Sequence, residues 1–481
     1  MKPVFLWTDI CLWLLTFAVI GYALHVRRNG LLRSTWSHVF QNGPAVASAI
    51  VLLFATAIAL LDSLHFQTRI EKPGSREVVY SPQVKSALDA ILGKMGDARE
   101  KSYSAPLSIY GLNKESIERD GKTVRDYPRL KVAGQHLTDP EQKWNDIALK
   151  SLRGVIAGGL VGAVFALLGW AALRSGQTHL QAEHQAVTSK TANMRQENEP
   201  LSPSVRRWAF CTCLLLGMLS GIAVSLSGYY HLLGTDKVGV DVLYSAIKSL
   251  RTAMVLGLLT TLVTLPLGVF AGLAAGYFRG WVDDIIQYIY TTLNSIPGVL
   301  LIAAAVLMLQ VALDSNPQAF ATAAEKADLR LFFLCVILGV TSWTGLARLL
   351  RGETLKLREL DYVQAARAFG ASHTQVLMRH LLPNVMHIVL IMLVMDFSGL
   401  VLAEAVLSYV GVGVDPATQS YGTMINAARL ELSREPVVWW TLAAAFTFML
   451  VLVLAANLFA DAVRDAFDPR ARQLKKSLIR V

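Results

Sequence analysis

Asp361-Tyr-Val-Gln-Ala-Ala-Arg-Ala-Phe-Gly370-Ala-Ser-His-Thr-Gln-Val-Leu-Met-Arg-His-Leu-Leu-Pro383 runs without a break into the apolar stretch 384–409. Its punctuation predicts two short helices meeting at a turn. Gly370 can close the first in a left-handed conformation, Ser372 with Gln375 forms a capping box for the second, and Pro383 suits the opening of the next helix. The stretch that follows is long enough to cross a hydrocarbon core of about 30 Å as a helix. An amphipathic hairpin handed to a membrane-length helix indicates an all-α polytopic membrane protein.

Composition outside this stretch agrees. The 481 residues are 53% hydrophobic and 17% charged, against roughly 25% charged in soluble domains, and the mean hydropathy is +0.43. A simple globular enzyme is excluded. Apolar stretches at 4–24, 44–61, 152–173, 208–229, 252–278, 285–311, 331–350, 384–409 and 437–460 make nine helices. An odd number puts the termini on opposite sides. The tail with Arg464, Arg470, Arg472, Lys475, Lys476 and Arg480 belongs in the cytoplasm by the positive-inside rule. Arg27, Arg28 and Arg33 follow the first run rather than precede it, so it reads as an uncleaved helix and not a signal peptide. The net charge of +10 then reflects inner loops at the lipid bilayer, with no nucleic acid partner. Cys11, Cys211, Cys213 and Cys335 lie in apolar windows without disulfide or metal spacing and read as buried structural thiols.

The expected organisation is two helices in 1–61, a water-soluble extracytoplasmic subdomain in 62–151, two helices with a flexible cytoplasmic loop at 174–207 in 152–229, a core in 230–472 and a basic tail in 473–481. The subdomain has turn signals at Lys72-Pro73-Gly74 and Asp139-Pro140 and a helix-compatible piece at 82–100. Gly154, Gly158 and Gly162, and again Gly268, Gly272 and Gly276, put small residues on one helix face. Close helix contact and chance scatter explain them equally. Pro266 and Pro297 interrupt their spans.

The hairpin resembles the EAA loop of ABC importer permeases, in which Glu-Ala-Ala, three residues, Gly, and nine residues lead to Ile-x-Leu-Pro. Gln364, Ala365, Ala366, Gly370 and His380 to Pro383 stand at these positions. Gln364 replaces the acidic residue. Arg379 to Asn384 matches the Arg-His-x-Leu-Pro-Asn form of the dipeptide and oligopeptide branch, C-type. Four further segments are similar to that branch: His231-Leu-Leu-Gly-Thr-Asp236-Lys-Val-Gly-Val-Asp241, with Val240 where Arg is usual, Ala274-Ala-Gly-Tyr-Phe-Arg-Gly-Trp-Val-Asp283, Leu407-Ser-Tyr-Val-Gly-Val-Gly413, and Arg464-Asp-Ala-Phe-Asp-Pro-Arg470. The resemblance covers residues 230–472. The family's first core helix is either 33–61, with two spans and the outer subdomain inserted before the Gly-Thr-Asp motif, or 208–229.

The resemblance implies a permease subunit of the bacterial inner membrane with a type I importer bundle and cargo in the peptide class. Its partners would be a second homologous permease, two ATP-binding cassette subunits gripping Asp361, Gln364, Ala365, Ala366, Gly370, Ser372, Arg379 and Pro383, and an extracytoplasmic substrate-binding protein docking near Gly234, Thr235, Asp236, Gly239 and Asp241. No Gly-x-x-x-x-Gly-Lys-Ser/Thr cradle occurs, so ATP and Mg would be bound by partner subunits and this chain would be no enzyme. Within the spans, Asp396 and Glu404 are costly in hydrocarbon and, with Pro297, are pore or gate candidates. Packing roles weigh evenly for Asp396, and a structural or gating role is favoured for Glu404. A membrane-anchored sensor or scaffold, or a secondary transporter, are the rival readings.

Overall fold

In chain order, β1 (Lys2–Val4) precedes α1 (Trp7–Arg28), α2 (Gly30–Val39) and α3 (Gly43–Asp62). Then come β2 (His65–Ile70), β3 (Val79–Ser86), α4 (Ala87–Ile91), α5 (Gly93–Asp97), β4 (Glu115–Arg119) and β5 (Lys122–Asp126). The helices that follow are α6 (Lys143–Val187), α7 (Pro203–Ser227), α8 (Val242–Phe278), α9 (Trp281–Ser295), α10 (Gly298–Asp314) and α11 (Ala323–Arg358). Last are α12 (Asp361–Ala368), α13 (His373–Val376), α14 (Leu382–Tyr409), α15 (Tyr421–Glu431) and α16 (Trp440–Phe467). The computed structural model describes residues 2–70, 79–97, 99–119, 122–187, 203–315, 320 and 322–467. The basic tail 473–481, the end of the Arg464 to Arg470 motif, and residues 188–202 of the expected loop lie outside them.

Among the described residues, eight helices are long and apolar enough to cross a membrane, and a ninth span appears if α9 and α10 count together. That pair is bent by 88°. Ile296, pushed into extended backbone (φ −91°, ψ 132°) by the proline after it, ends α9, and Pro297 caps α10. Pro266 behaves differently from expectation: α8 continues through it. The piece expected to be a loop from residue 174 also differs, because α6 extends as helix to Val187.

The chain forms two compact bodies, and their limits differ from the expected 62–151 and 230–472 boundaries. The first holds residues 1–35, 55–93 and 244–481. Its sheet has the order β1-β2-β3, antiparallel throughout, with Lys2 opposite Gln67 and His65 opposite Ser86. The chain is an all-α polytopic membrane protein to which five short strands among the described residues are local additions. The piece 82–100 begins as β3, whose pairing is irregular near Pro82, a residue with no N–H for the ladder. Helix begins only at Ser86, which makes a capping box with Asp89.

Buried charges bind this body. Arg251 donates to Asp9 from Nε at 3.2 Å and Nη2 at 2.6 Å, and lies 3.5 Å from Asp328. The Thr8 N–H and hydroxyl both donate to Asp328, and His65 Nδ1 is 2.7 Å from Asp9. Lys248 stands 2.8 Å from Asp89 and 3.5 Å from Asp62. Thr8, Leu12 and Leu15 line one crevice with Val255, Leu258 and Leu259. The pair of Arg251 with Asp9 thus ties α1 to α8 and that of Thr8 with Asp328 ties it to α11, while Asp62 ties the end of α3 to α8, so α1 stands as a third candidate beside 33–61 and 208–229.

Close helix contact explains both glycine faces. A Cβ on Gly272 would stand 2.7 Å from the Ala347 carbonyl oxygen, and one on Gly276 2.9 Å from that of Arg351, so these residues let α11 lie against α8. In the second body, residues 36–54 and 94–243, Gly154, Gly158 and Gly162 of α6 meet the backbone of Cys213, Gly217 and Gly221 of α7. This body also holds the β4–β5 hairpin, registered from Glu115 opposite Asp126 to Arg119 opposite Lys122. Of the cysteines only Cys335 is buried, and Cys211 is exposed on α7. An apolar window on a membrane helix marks lipid as readily as protein interior.

Candidate functional site

The hairpin 361–383 forms from its own punctuation. α12 stops at Phe369, and Gly370 at φ +83° reverses the chain. Its N–H donates to the Arg367 carbonyl at 3.0 Å, and that of Ala371 to Ala366 at 3.0 Å. Ser372 Oγ accepts from the Gln375 N–H at 3.3 Å to start α13. A π-helical turn, Leu377–Leu381, then leads into α14, with Pro383 in its first turn. This turn was not legible, because an inserted residue leaves no signature in the polar spacing.

Val363, Val376 and Leu381 are fully buried and pack with Leu346, Leu350, Tyr277 and Val385. Each such side chain contributes about 1.5–3 kcal/mol. Polar ties reinforce the join: Tyr277 Oη is 2.8 Å from His373 Nδ1, Arg358 donates to the Tyr277 carbonyl at 2.5 Å, and Asn384 donates to Tyr362 Oη at 3.0 Å. The opposite surface is open. Asp361, Gln364, Ala365, Gly370, Ser372, Arg379 and Pro383 are exposed and Ala366 partly so. Phe369, which spacing alone did not single out, is 90% exposed at the tip. Gln364 Nε2 donates to the Glu359 carbonyl at 3.0 Å, a neutral tie within the hairpin.

The loop 231–241 is built in the opposite way. Thr235, Asp241 and His231 are buried, as are Gly234 and Gly239, while Lys237 and Val238 are exposed. The inserted segment covers it. The Thr235 N–H donates to the Ser104 carbonyl at 3.1 Å, Thr235 Oγ1 accepts from the Ser104 N–H at 2.7 Å, and the Glu100 N–H donates to the Gly239 carbonyl at 3.0 Å. Gly239 sits at φ +74°, and any Cβ would collide with the Glu100 backbone. Thus Gly234, Thr235, Gly239 and Asp241 support the loop from within and offer no side chain to a docking protein. Asp236 Oδ1 accepts from the Val238 and Val240 N–H groups at 2.9 and 2.8 Å and shapes the tip.

Beneath the loop, buried His231 has its Nδ1 2.8 Å from Asp241 and its Nε2 3.6 Å from Glu100, an ion-pair distance without a direct hydrogen bond. Burial pulls the His231 imidazole down, but the two carboxylates outweigh it and hold the ring at about 9. Burial pushes Glu100 up, but His231 and the N–H groups of Lys131, Val132 and Ala133 outweigh it and hold it at about 2. Glu100 is the residue the sequence reading missed. It lies more than a hundred positions from the loop it supports, and no local pattern marks it.

In the spans, buried Glu404 accepts from Ser408 Oγ at 2.6 Å and from Ser420 Oγ at 2.9 Å, tying α14 to the cap of α15. Asp396 is half-buried, and no hydrogen bond or ion pair reaches it among the described residues. Its neighbour Ser398 donates to Asn457 Oδ1 at 2.6 Å. Pro297 marks the α9–α10 bend. No group of His, Cys, Asp and Glu suited to a metal occurs among the described residues.

Comparisons with known proteins bear on the same region. Residues 265–473 match the family model described as binding-protein-dependent transport system inner membrane component. The chain is 28% identical over 251 residues to the oligopeptide transport system permease protein OppC of Mycobacterium bovis, covering 52% of this chain and 80% of that one. It is 31% identical over 243 residues to the dipeptide transport system permease protein DppC of Lactococcus lactis, covering 50% and 65%. It is 32% identical over 244 residues to the glutathione transport system permease protein GsiD of Pectobacterium atrosepticum, covering 50% and 73%.

Proposed function

We propose, because this chain belongs to the family of binding-protein-dependent transport system inner membrane components, that it is the membrane subunit through which an ATP-driven importer takes up peptides. It is a multi-pass inner membrane permease subunit of an ABC importer, and ATP hydrolysis lies in partner subunits. The finer reading gives it a second homologous permease, two ATP-binding subunits that hold ATP and Mg, and an extracytoplasmic substrate-binding protein, with its C-terminus in the cytoplasm. Peptide cargo follows the names of the relatives.

The observation that carries this reading is the hairpin 361–383. Its inner side is fused to α8, α11 and α14 through Tyr277, Leu350, Val363, Val376 and Leu381. Its outer side presents Ala365, Ala366 and Gly370 beside exposed Phe369. Small residues let a groove on an ATP-binding subunit close over the backbone, and an exposed aromatic anchors such contacts. A push on this tip moves three core helices as one piece. Nucleotide-driven closure of the ATPases thereby biases the bundle between inward and outward opening. Asp396 is the pore group that meets a peptide's ammonium, and Glu404 holds the α14–α15 corner.

The test is copurification in mild detergent from native membranes, with mass spectrometry of the partners. ATP-binding subunits and a second permease should come down with wild type and be lost with Ala366→Asp and Gly370→Asp. Wild type recovered without any ATP-binding subunit, under conditions that retain other membrane complexes, would return the chain to the sensor or scaffold reading.

A further inference from the structure

Exposed cations gather round one buried carboxylate in the second body. Glu100 turns inward to accept from the N–H groups of Lys131, Val132 and Ala133. Arg99 and Lys101 flank it in the chain and are exposed. Lys131 is exposed beside them. The hydrogen bond from the Glu100 N–H to the Gly239 carbonyl brings in exposed Lys237, and Arg99 is near enough to act electrostatically on Asp236. Val238 projects at this place, 62% exposed. The acids here are engaged: Glu115 lies 3.2 Å from Lys101 Nζ, and Asp236 accepts from its own loop.

The loop 231–241 contributes a single exposed cation, and its position 240, where the resembling pattern has Arg, is Val. The inserted segment contributes Arg99 and Lys131, and Lys101 in its pair with Glu115. The backbone at Glu100 and at Lys131 is tied to the loop and to the Glu100 carboxylate, which keeps these cations on one part of the surface. An exposed apolar side chain beside exposed cations offers a partner an apolar contact and a charged rim together.

We propose that Arg99, Lys131 and Lys237, on the same part of the surface as Val238, form the site on which an acidic lobe of the substrate-binding protein docks. This rests on the importer reading above and adds that the insert, rather than the motif loop, supplies most of the receptor. The cations steer the encounter, which makes docking dependent on salt.

The experiment places a benzophenone amino acid at Lys237 or, for reference, at Ala417, an exposed residue of the α14–α15 connection, in the tagged chain expressed in its own host. Adducts and copurifying ATP-binding subunits are identified by mass spectrometry. The expected result is a substrate-binding protein crosslinked at Lys237. Its yield should fall about tenfold in Arg99→Glu/Lys131→Glu, stay in Arg99→Lys/Lys131→Arg, and leave recovery of ATP-binding subunits unchanged. If the reversed pair also loses those subunits, wild-type membranes decide: the adduct must decline as salt is raised, and a salt-insensitive adduct overturns the proposal. A lipid adduct alone at Lys237, a binding protein captured only at Ala417, or an adduct indifferent to charge reversal also overturns it while the importer reading stands. Absence of ATP-binding subunits together with absence of a binding protein at both positions removes the importer reading and the proposal with it.

Discussion

The hairpin 361–383 and the loop 231–241 both resemble segments of one family, yet the chain treats them oppositely. The hairpin keeps its motif residues on the outside and buries three apolar side chains beneath them. The loop buries its motif residues under an inserted segment and leaves Lys237 and Val238 outside. A matched motif residue can thus be a contact surface in one place and a structural support in another. Only burial and hydrogen bonding tell the two apart.

Their glycines offer the sharpest way to break this contrast. Gly239 and Gly370 both have positive φ, but a Cβ collides with the Glu100 backbone at the first and meets nothing within 4 Å at the second. Gly239→Ala should destabilise the second body by about 3–4 kcal/mol, combining left-handed strain with overpacking. Gly370→Ala should cost about 1 kcal/mol. Thermal unfolding in detergent, followed by limited proteolysis to locate the loosened body, reads the difference. Equal losses would mean that the insert does not clamp the loop.

Glu100→Gln comes next, with an expected loss of about 2–3 kcal/mol, since it leaves His231 buried against one carboxylate and removes a strong acceptor of three N–H groups. The same cluster fixes a pH response. His231, raised to about 9, contributes stability that is full below its unfolded value of about 6.5 and is lost as pH rises through 9. Glu100, lowered to about 2, contributes stability that is full above its unfolded value of about 4.3 and is lost as pH falls through 2. The second body should therefore be most resistant to heat between these unfolded values and weaken on the alkaline side, and His231→Gln should flatten that alkaline decline. An unchanged alkaline slope in this variant would remove His231 as its cause.

Gln364→Glu should have the smallest effect, within about 0.5 kcal/mol. The side chain is exposed, and its change removes only one donor bond, to the Glu359 carbonyl. A larger loss would show that this amide holds the hairpin together.

Much of the first region was legible because its determinants are local. Gly370, Ser372 and Pro383 lie within fourteen residues and act on their own backbone, and the apolar stretches announce their helices by length alone. What escaped depends on distance or on small departures. The π-helical turn at Leu377–Leu381 changes the helix without changing its composition. The bend at Pro297 was marked by the proline, whereas Pro266 carried the same mark inside a continuous helix. Strands β4 and β5 lie in a charged segment whose weak alternation resembles a loop. Arg251 joins Asp9 across more than two hundred residues, and Glu100 reaches a loop beyond α7. No window of sequence contains both partners of such a pair.

The central claim, that the outward tip of the hairpin is where an ATP-binding subunit engages, is tested most directly by photocrosslinking from Phe369, with Val124 of β5 as the contrasting position. A benzophenone amino acid at Phe369 should yield an adduct with an ATP-binding subunit, and the same group at Val124 should yield none. A preparation that retains its second permease but gives no such adduct at Phe369, or that gives one at Val124, would contradict it.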